Sequence, residues 1–488
     1  MKGYRQLLIA IILLSLVGRV YFSLRPLDGH EALFAQPAEE LLANQRLEPT
    51  YLGTPIFYKP PLSFYTYAAF IGLFSWLPAP IELIYRLQPL FFGALSIYLV
   101  YLLVKKLFDE DIALISCTAY AVSNLAIFIH AEMNSDSLLN FLVLASILFY
   151  VRGGRKDLAF GWLFSAFAYL TKTSMSFAIP VIAIAYALTC EKKRLRDPVF
   201  LASLSGPLFG LLVWMLFFNH GGSGGVGGQV EQDIFRRFTH SPYSVLVSFF
   251  SFTALFAPWI IASVIGILGV LRRQRDGKEN FFLWWTALGV IPLFSDPIST
   301  SYIMPILPAF SFFAAMGIDD EKDARLRTAL LVLFFVGTLP LFAIQANPVW
   351  ESYSERDVGT YIANEPGVLL ITRDPLNCIV FYKHKAEGMG NYVPVSELMR
   401  CTPGGSYDCL KIFDYNWSSI SYYVIENDGP LLFLSRDSEF IDYNISETRL
   451  VVVSQPLEAF FLRHPESKEF SLDRNFSGYF LAYRRTSG

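Results

Sequence analysis

The sequence predicts a mainly α protein, a polytopic bundle of about 11–12 membrane helices followed by a small soluble α/β domain. Three observations carry that prediction: a deficit of charge, a train of long apolar segments, and a change of composition after Ile344. Of the 488 residues, 53% are hydrophobic and only 17% are charged, with 44 Phe and 26 Tyr. Soluble domains carry roughly a quarter charged residues. The formal net charge is −3, so no basic field advertises nucleic-acid binding. Five cysteines are too few for a disulfide-scaffold fold.

The N-terminal run MKGYRQLLIAIILLSLVGRVYFSL has the basic start and apolar core of a signal peptide. Its apolar stretch is long and no small-residue cleavage site precedes Arg25, so it reads as a retained first transmembrane helix. A spanning helix needs roughly 20 largely apolar residues. Candidates lie at 6–24, 62–79, 86–104, 111–130, 137–151, 157–171, 174–190, 197–219, 244–270, 279–295, 301–318 and 325–343.

Cytoplasmic loops carry an excess of Lys and Arg. Basic clusters occur at Lys2/Arg5, Lys105/Lys106, Arg152/Arg155/Lys156, Lys192/Lys193/Arg194/Arg196, Arg272/Arg273/Arg275 and Arg325/Arg327. If all twelve segments cross, these clusters do not share a side. With 62–79 entering the membrane without crossing, or lying along its surface, eleven crossings remain and every cluster is cytoplasmic. That threading sends 25–61, 131–136, 171–174, 220–243, 296–300 and everything after 344 to the outer face.

Residues 220–243 open with six glycines in nine positions and read as a mobile loop. After Ile344, short apolar runs (GVLLITR, YYVIE, LLFLS, RLVVVS, YFLAYRR) alternate with polar, turn-rich stretches. The expected division is a membrane domain over 1–344 and an extracytoplasmic α/β domain over 345–488. Cys401 and Cys409 lie in that second domain; pairing in an oxidising compartment and two separate thiols are both open. There is no internal repeat, P-loop or dinucleotide-type glycine motif.

Polar groups recur at the outer ends of the apolar segments. They are Asp28, His30 and Glu31; Lys59 in YKPPL; Glu132 and Asp136 in HAEMNSDSLLNF; and Lys172 in LTKTS. The i, i+4 spacing of Glu132 and Asp136 predicts one shared helical face. Any one of these alone reads as a solvated loop charge. Four sites on one face of a membrane fit transfer from a lipid-phosphate donor. A polyprenyl-phosphate sugar keeps its chain in the bilayer and its phosphate at the surface. A cation must neutralise that phosphate, and a carboxylate must take the proton from an acceptor hydroxyl or amine. Lys59 and Lys172 meet the first need, Asp28 or Glu31 the second. Arg236 and Arg237, on the glycine-rich loop, suit a lid over the phosphate, with a solvated loop as the plainer alternative.

In order along the chain, DGHEALFAQPAEELLANQRLEPTYLGTPIFYKPPLSFY, EMNSDSLLNFLVLASILFY, AYLTKTSMSFAIP and SYIMPILPAFSFFAA resemble the motifs of the GT-C membrane glycosyltransferases. The group they resemble contains the protein O-mannosyltransferases and the lipid A aminoarabinose transferases. The match runs through most of residues 1–318; the C-terminal domain has no assigned counterpart. The resemblance implies a lipid-monophosphate sugar donor, an inverting single displacement, an outer-face site and a multi-pass protein of a bacterial inner or archaeal cell membrane. It marks Asp28, Glu31 and Asp136 as candidate catalytic residues. His30, Tyr58, Lys59, Glu132, Lys172, Arg236, Arg237 and Tyr302 are the candidate substrate-binding residues.

Two positions depart from the pattern. His30 stands where the family carries the aspartate of an Asp-Glu pair, so either Asp28 substitutes or Glu31 acts alone. Ser301 replaces a basic residue before Tyr302. No cofactor is required, although Asp28, Glu31 and Asp136 are hard oxygen ligands suited to magnesium or manganese.

Other classes predict other patterns. A secondary transporter would place ionisable residues near helix midpoints and show symmetry between halves. Another lipid-carrier-dependent polysaccharide enzyme would share the membrane and the donor but not the KPPL element. A receptor or scaffold has only the C-terminal domain in its favour. The acceptor, whether glycolipid, glycan or protein, and the sugar, hexose or pentose, are not legible.

Overall fold

The structure, a computed structural model, describes residues 2–44, 48–51, 54–56, 59–218, 250, 252–273, 276–290, 304–319, 324–345, 350–363, 368–371, 381–382, 385, 449–455, 461–462 and 465–486. Tyr58, Arg236, Arg237, Ser301, Tyr302, Cys401 and Cys409 lie outside them, as do the runs YYVIE and LLFLS. The chain falls into two compact units: 1–24, 57–66 and 77–347 in the first, and 25–56, 67–76 and 348–488 in the second.

The first unit is built of apolar helices. Its long opening helix α1 covers Lys2–Ser23. Along the chain there follow α2 (Gly29–Asn44), which belongs to the second unit, α3 (Leu62–Phe74), whose residues divide between the units, and then α4 (Ile81–Leu107), α5 (Glu110–Val122) and α6 (Asn124–Ile129) of the first. Then follow α7 (Asp136–Arg152), α8 (Arg155–Thr171), α9 (Thr173–Ser176) and α10 (Ala178–Cys190). Further helices cover Pro198–Ser203, Gly206–Phe218, Trp259–Arg272, Gly277–Val290, Leu307–Asp319 and Ala324–Gln345. The apolar segments of the sequence become mainly helical where the structure describes them, since continuous apolarity favours helix over loop. The segment 62–79 is helical only to Phe74, however, and 111–130, 174–190 and 197–219 each break into two helices.

Local chemistry sets the ends of these helices. Asp109 caps α5 by accepting from Ile112 N at 2.9 Å, and Ser123 restarts the chain as α6 by accepting from Ala126 N at 3.3 Å. Gly153 stops α7 in the left-handed conformation, φ 72°. Arg86 of α4 donates to the Ser23 carbonyl at 2.9 Å, satisfying one of the carbonyls orphaned at the end of α1.

Aromatic stacking and small-residue crossings hold the helices together. Phe282 stacks on Phe312 with ring centroids 4.0 Å apart. The Trp259–Arg272 and Leu307–Asp319 helices cross backbone to backbone. A Cβ on Gly266 would lie 2.0 Å from the Phe313 carbonyl oxygen, and one on Gly317 would lie 2.2 Å from that of Ala262. The outward faces remain apolar, with Leu13, Val17, Leu216 and Leu333 all exposed. Exposed apolar surface on this scale marks a face meant for something other than water. Among the described residues, three helices are long and apolar enough to cross a membrane: Tyr4–Ser23, Ile81–Leu107 and Pro198–Leu216. The 13-residue α3 spans about 20 Å, short of the roughly 30 Å apolar core of a bilayer.

The second unit contains α2, a minimal hairpin pairing β1 (Thr50–Tyr51) with β2 (Thr54–Pro55), a helix at Trp350–Ile362 and a four-stranded sheet. The strands are β3 (Val368–Ile371), β4 (Leu450–Ser454), β5 (Phe470–Phe476) and β6 (Phe480–Arg485), in the order β3-β4-β6-β5. The β3–β4 pair is parallel and the rest antiparallel, with Val452 opposite both Leu370 and Ala482. The apolar runs GVLLITR, RLVVVS and YFLAYRR supply β3, β4 and β6, as their composition predicts. Strand β5, SLDRN at its centre, has no counterpart among the apolar runs, because an edge strand with an exposed middle carries little apolar signal. Ser477 and Gly478, both at positive φ, turn β5 into β6 in the type I′ manner.

Candidate active site

Helix α2 begins with a reciprocal cap. The backbone N–H of Glu31 donates to Asp28 Oδ1 at 2.8 Å, and the N–H of Asp28 donates to Glu31 Oε2 at 3.1 Å. This is a capping box with aspartate at the N-cap and glutamate three residues on. The carboxylates also lie where the helix dipole favours negative charge. Glu31 is buried (1% exposed), Asp28 is half-buried, and His30 between them is exposed with its ring edge against Phe34, centroids 5.5 Å apart. The structure thus brings Asp28 and Glu31 together, and gives each a folding role that any chemistry must share.

Further along α2, buried acids are matched one by one. Glu40 accepts from Gln36 Nε2 at 2.8 Å and from Thr50 Oγ1 at 2.6 Å, and Glu39 forms an ion pair with Lys385. The N–H of Leu27, directly before Asp28, donates to Tyr382 Oη at 2.9 Å.

In the first unit, Lys172 Nζ donates to Asp136 Oδ1 at 2.7 Å. Lys172 adopts an extended backbone that separates α8 from α9, while Asp136 opens α7. Asp136, in the first turn of α7, and Lys172, at the C-cap of α8, each lie at a helix end whose dipole favours the charge, although Lys172 is also the N-cap of the four-residue α9. Glu132 and Asp136 do not share a helical face, contrary to the expectation from their spacing. Glu132 is half-buried in a bend, and Asn134 Oδ1 accepts from Asp136 N at 2.9 Å, so the helix starts only at Asp136. A short-range asparagine acceptor outcompetes helix continuation there.

His130 pins both ends of that bend. With Ser137 Oγ donating to the Ile129 carbonyl at 3.0 Å, His130 Nδ1 donates to Ser137 Oγ at 3.0 Å and Nε2 accepts from Tyr120 Oη at 2.9 Å. Asn140 Nδ2 completes the chain, donating to Tyr120 Oη at 2.6 Å. The pattern is self-consistent for the neutral imidazole protonated on Nδ1. Gly93 faces this ring, and a Cβ there would lie 2.6 Å from His130 Cβ. In the sequence, His130 carries no spacing signal that marks it for this role, because it stands alone at the end of an apolar run.

Lys59 is half-buried in a bend immediately before Pro60 and Pro61, and α3 starts directly after them at Leu62. Among the described residues, no three His, Cys, Asp or Glu side chains gather as a metal site.

Residues 58–217 match the model of the dolichyl-phosphate-mannose-protein mannosyltransferase family. A comparison with curated protein sequences finds no match. Among solved structures, the chain is similar to ArnT from Cupriavidus metallidurans bound to undecaprenyl phosphate. That match has a TM-score of 0.66 at 15% identity and covers 100% of this chain and 99% of the other. The apo state of the same protein matches with a TM-score of 0.61 at 15% identity, covering 99% of this chain and 98% of that one. The archaeal oligosaccharyltransferase AglB from Archaeoglobus fulgidus, in complex with an inhibitory peptide and a dolichol-phosphate, matches with a TM-score of 0.56 at 12% identity. It is covered over 74% of its length by 98% of this chain. The family model thus matches residues 58–217, and the likeness to ArnT and AglB is a likeness of fold that runs through nearly the whole chain.

Proposed function

We propose that the protein is a multi-pass membrane glycosyltransferase that moves a sugar from a polyprenyl-phosphate donor to an acceptor on the extracytoplasmic face. The single observation that carries this reading is the Asp28–Glu31 carboxylate pair at the start of α2, in a chain with the fold of ArnT. The half-exposure of Asp28 and the burial of Glu31 make Asp28 the better proton acceptor, with Glu31 holding the turn.

In the reaction, Asp28 removes the proton from an acceptor hydroxyl or amine. The acceptor heteroatom attacks the anomeric carbon from the face opposite the phosphate, the bond from that carbon to the phosphate oxygen breaks, and polyprenyl phosphate leaves. The carboxyl retains the proton and the configuration inverts. Lys59 and Lys172 are assigned to the donor phosphate, whose charge grows as the bond breaks. Lys172 is additionally tied to Asp136, so its ammonium is held in place before any donor arrives. Glu132 and His30 remain candidate acceptor contacts, as do Tyr58, Arg236, Arg237 and Tyr302. Magnesium or manganese remains a candidate ligand, with no step here routed through it. The membrane domain is assigned to 1–344 and the extracytoplasmic domain to 345–488, in a bacterial inner or archaeal cell membrane.

The test is to incubate purified protein with a panel of polyprenyl-phosphate sugars and to follow donor loss and polyprenyl-phosphate release by mass spectrometry. Release with at least one donor, dependent on Asp28, is expected. No release with any donor, in the presence of glycolipid, glycan and peptide acceptors, would refute the reading.

A further inference from the structure

We propose that Tyr382 and Lys385 hold the acidic turn at the head of α2 in place, and so are positioning residues for the transfer. This rests on the reading of Asp28 and Glu31 given above and assigns a task to the C-terminal part of the chain.

Three observations lead there. First, α2 contains Pro37, which withholds an N–H from the helix ladder and leaves the carbonyl one turn earlier without its usual donor. The helix is therefore weakest between its acidic head and its middle. Second, one short stretch from far along the chain holds both sides of that weak point. Tyr382 Oη accepts from Leu27 N at 2.9 Å, 355 positions away, and Lys385 pairs with Glu39, 346 positions away. Third, the Tyr382 contact is buried. Leu27 is 1% and Tyr382 is 5% exposed, and Phe381 packs edge-on against Tyr382 with ring centroids 5.4 Å apart.

A buried backbone N–H must find an acceptor. The Leu27 N–H finds its acceptor in Tyr382, and it is adjacent to the residue assigned as base. Loss of the Tyr382 hydroxyl would free the turn to tilt, while the Asp28–Glu31 cap would persist. Misplacement of a reacting group by about 1 Å costs rate rather than fold. The Lys385–Glu39 pair acts on the far side of Pro37, so the two contacts together fix the direction in which the first turn of α2 points.

The experiment uses the full-length protein in detergent or nanodiscs, with Tyr382→Phe, Lys385→Met and Lys385→Arg. Hydrogen exchange of peptides covering residues 27–36 reports the turn without reference to activity. It should accelerate by about tenfold in Tyr382→Phe and in Lys385→Met, and Lys385→Arg should restore it. Turnover, normalised to folded protein, should fall by about tenfold in the first two variants with the donor KM within about twofold of the parent. Unchanged exchange overturns the proposal. So does faster exchange with unchanged kcat, which would mean that the contacts serve folding alone. If the parent protein turns over no donor, the transferase reading fails, and unchanged exchange in Tyr382→Phe would show that the positioning contact fails independently.

Discussion

Lys172 donates to Asp136 at 2.7 Å across 36 positions of sequence, joining the end of one helix to the start of another. Two motifs that resemble separate elements of a family signature are therefore one electrostatic unit. The lysine side chain is 20% exposed and the aspartate 8%, a burial at which a lone charge is costly.

Removing either partner should destabilise the fold. Lys172→Met and Asp136→Asn should each lower unfolding stability by about 1.5–3 kcal/mol, the worth of a charge-assisted hydrogen bond. The double variant should lose less than the sum, with a coupling of about 1–3 kcal/mol. Denaturation midpoints of the four proteins in one detergent provide the check, and additive losses would show that the pair contributes nothing as a pair.

The capping box separates structure from chemistry at Asp28. Asparagine is as good an N-cap as aspartate, and glutamine serves the N3 position of the box. Asp28→Asn should therefore fold normally and lose turnover by about 10²–10⁴-fold, the usual worth of a general base. Glu31→Gln should lose far less. Asp28→Ala should show both the lost turnover and about 0.5–2 kcal/mol of lost stability. Near-normal turnover in Asp28→Asn and in the Asp28→Asn/Glu31→Gln double variant would return the turn to a purely structural role.

Lys59→Ala should weaken donor binding by about one to two orders of magnitude, since a hydrogen bond to a charged group is worth roughly 1.5–3 kcal/mol. Equilibrium binding of a polyprenyl-phosphate sugar measures it directly. Unaltered affinity would remove Lys59 from the donor site.

The threading of the chain is open to labelling. Asn134, central to the outer loop in the sequence reading, is buried and caps Asp136, so the half-buried Glu132 is the better cysteine position there. Cysteine at Glu132 or Gly224 should react with an impermeant reagent applied from outside. Cysteine at the exposed Lys106 or Lys193 should not. Labelling at Lys106 from outside would invert the topology.

In the C-terminal sheet, Asp473 is held below the usual carboxylate range, first by the hydroxyl of Tyr361 and then by Arg484, whose Nε lies 2.9 Å away. A depressed carboxylate stabilises the fold above its unfolded pKa of about 3.9, and that contribution is lost as pH falls through the folded value. Unfolding of this region, followed by limited proteolysis, should therefore steepen below about pH 4 in the parent and flatten in Asp473→Asn. The same acid dependence in both proteins would exclude the group.

Much of the helical architecture is legible in the sequence, because apolarity and capping residues act over a few positions. The basic clusters suggest a threading from sequence alone, but the break at Ser123, which caps a second helix inside the apolar segment 111–130, is seen only in the structure. Legibility fails where two local preferences compete. The spacing of Glu132 and Asp136 suits one helix face, but Asn134 between them makes a stronger local hydrogen bond and delays the helix. It fails again at β5, where an exposed polar middle hides a strand that pairing with β6 makes regular.

The sequence by itself determined roughly where the apolar helices lie and that Asp28, Glu31, Asp136 and Lys172 stand near their ends, since both are written in runs shorter than 30 residues. Only the tertiary structure decided what those charges do to one another. That Asp28 and Glu31 cap each other, that Asp136 holds Lys172, and that Tyr382 accepts from Leu27 depend on the chain's path in space. A charge at a helix end has many candidate partners of equal chemistry along a chain, and proximity selects among them. That proximity comes from the packing of whole helices, a sum over many weak contacts that no single motif records.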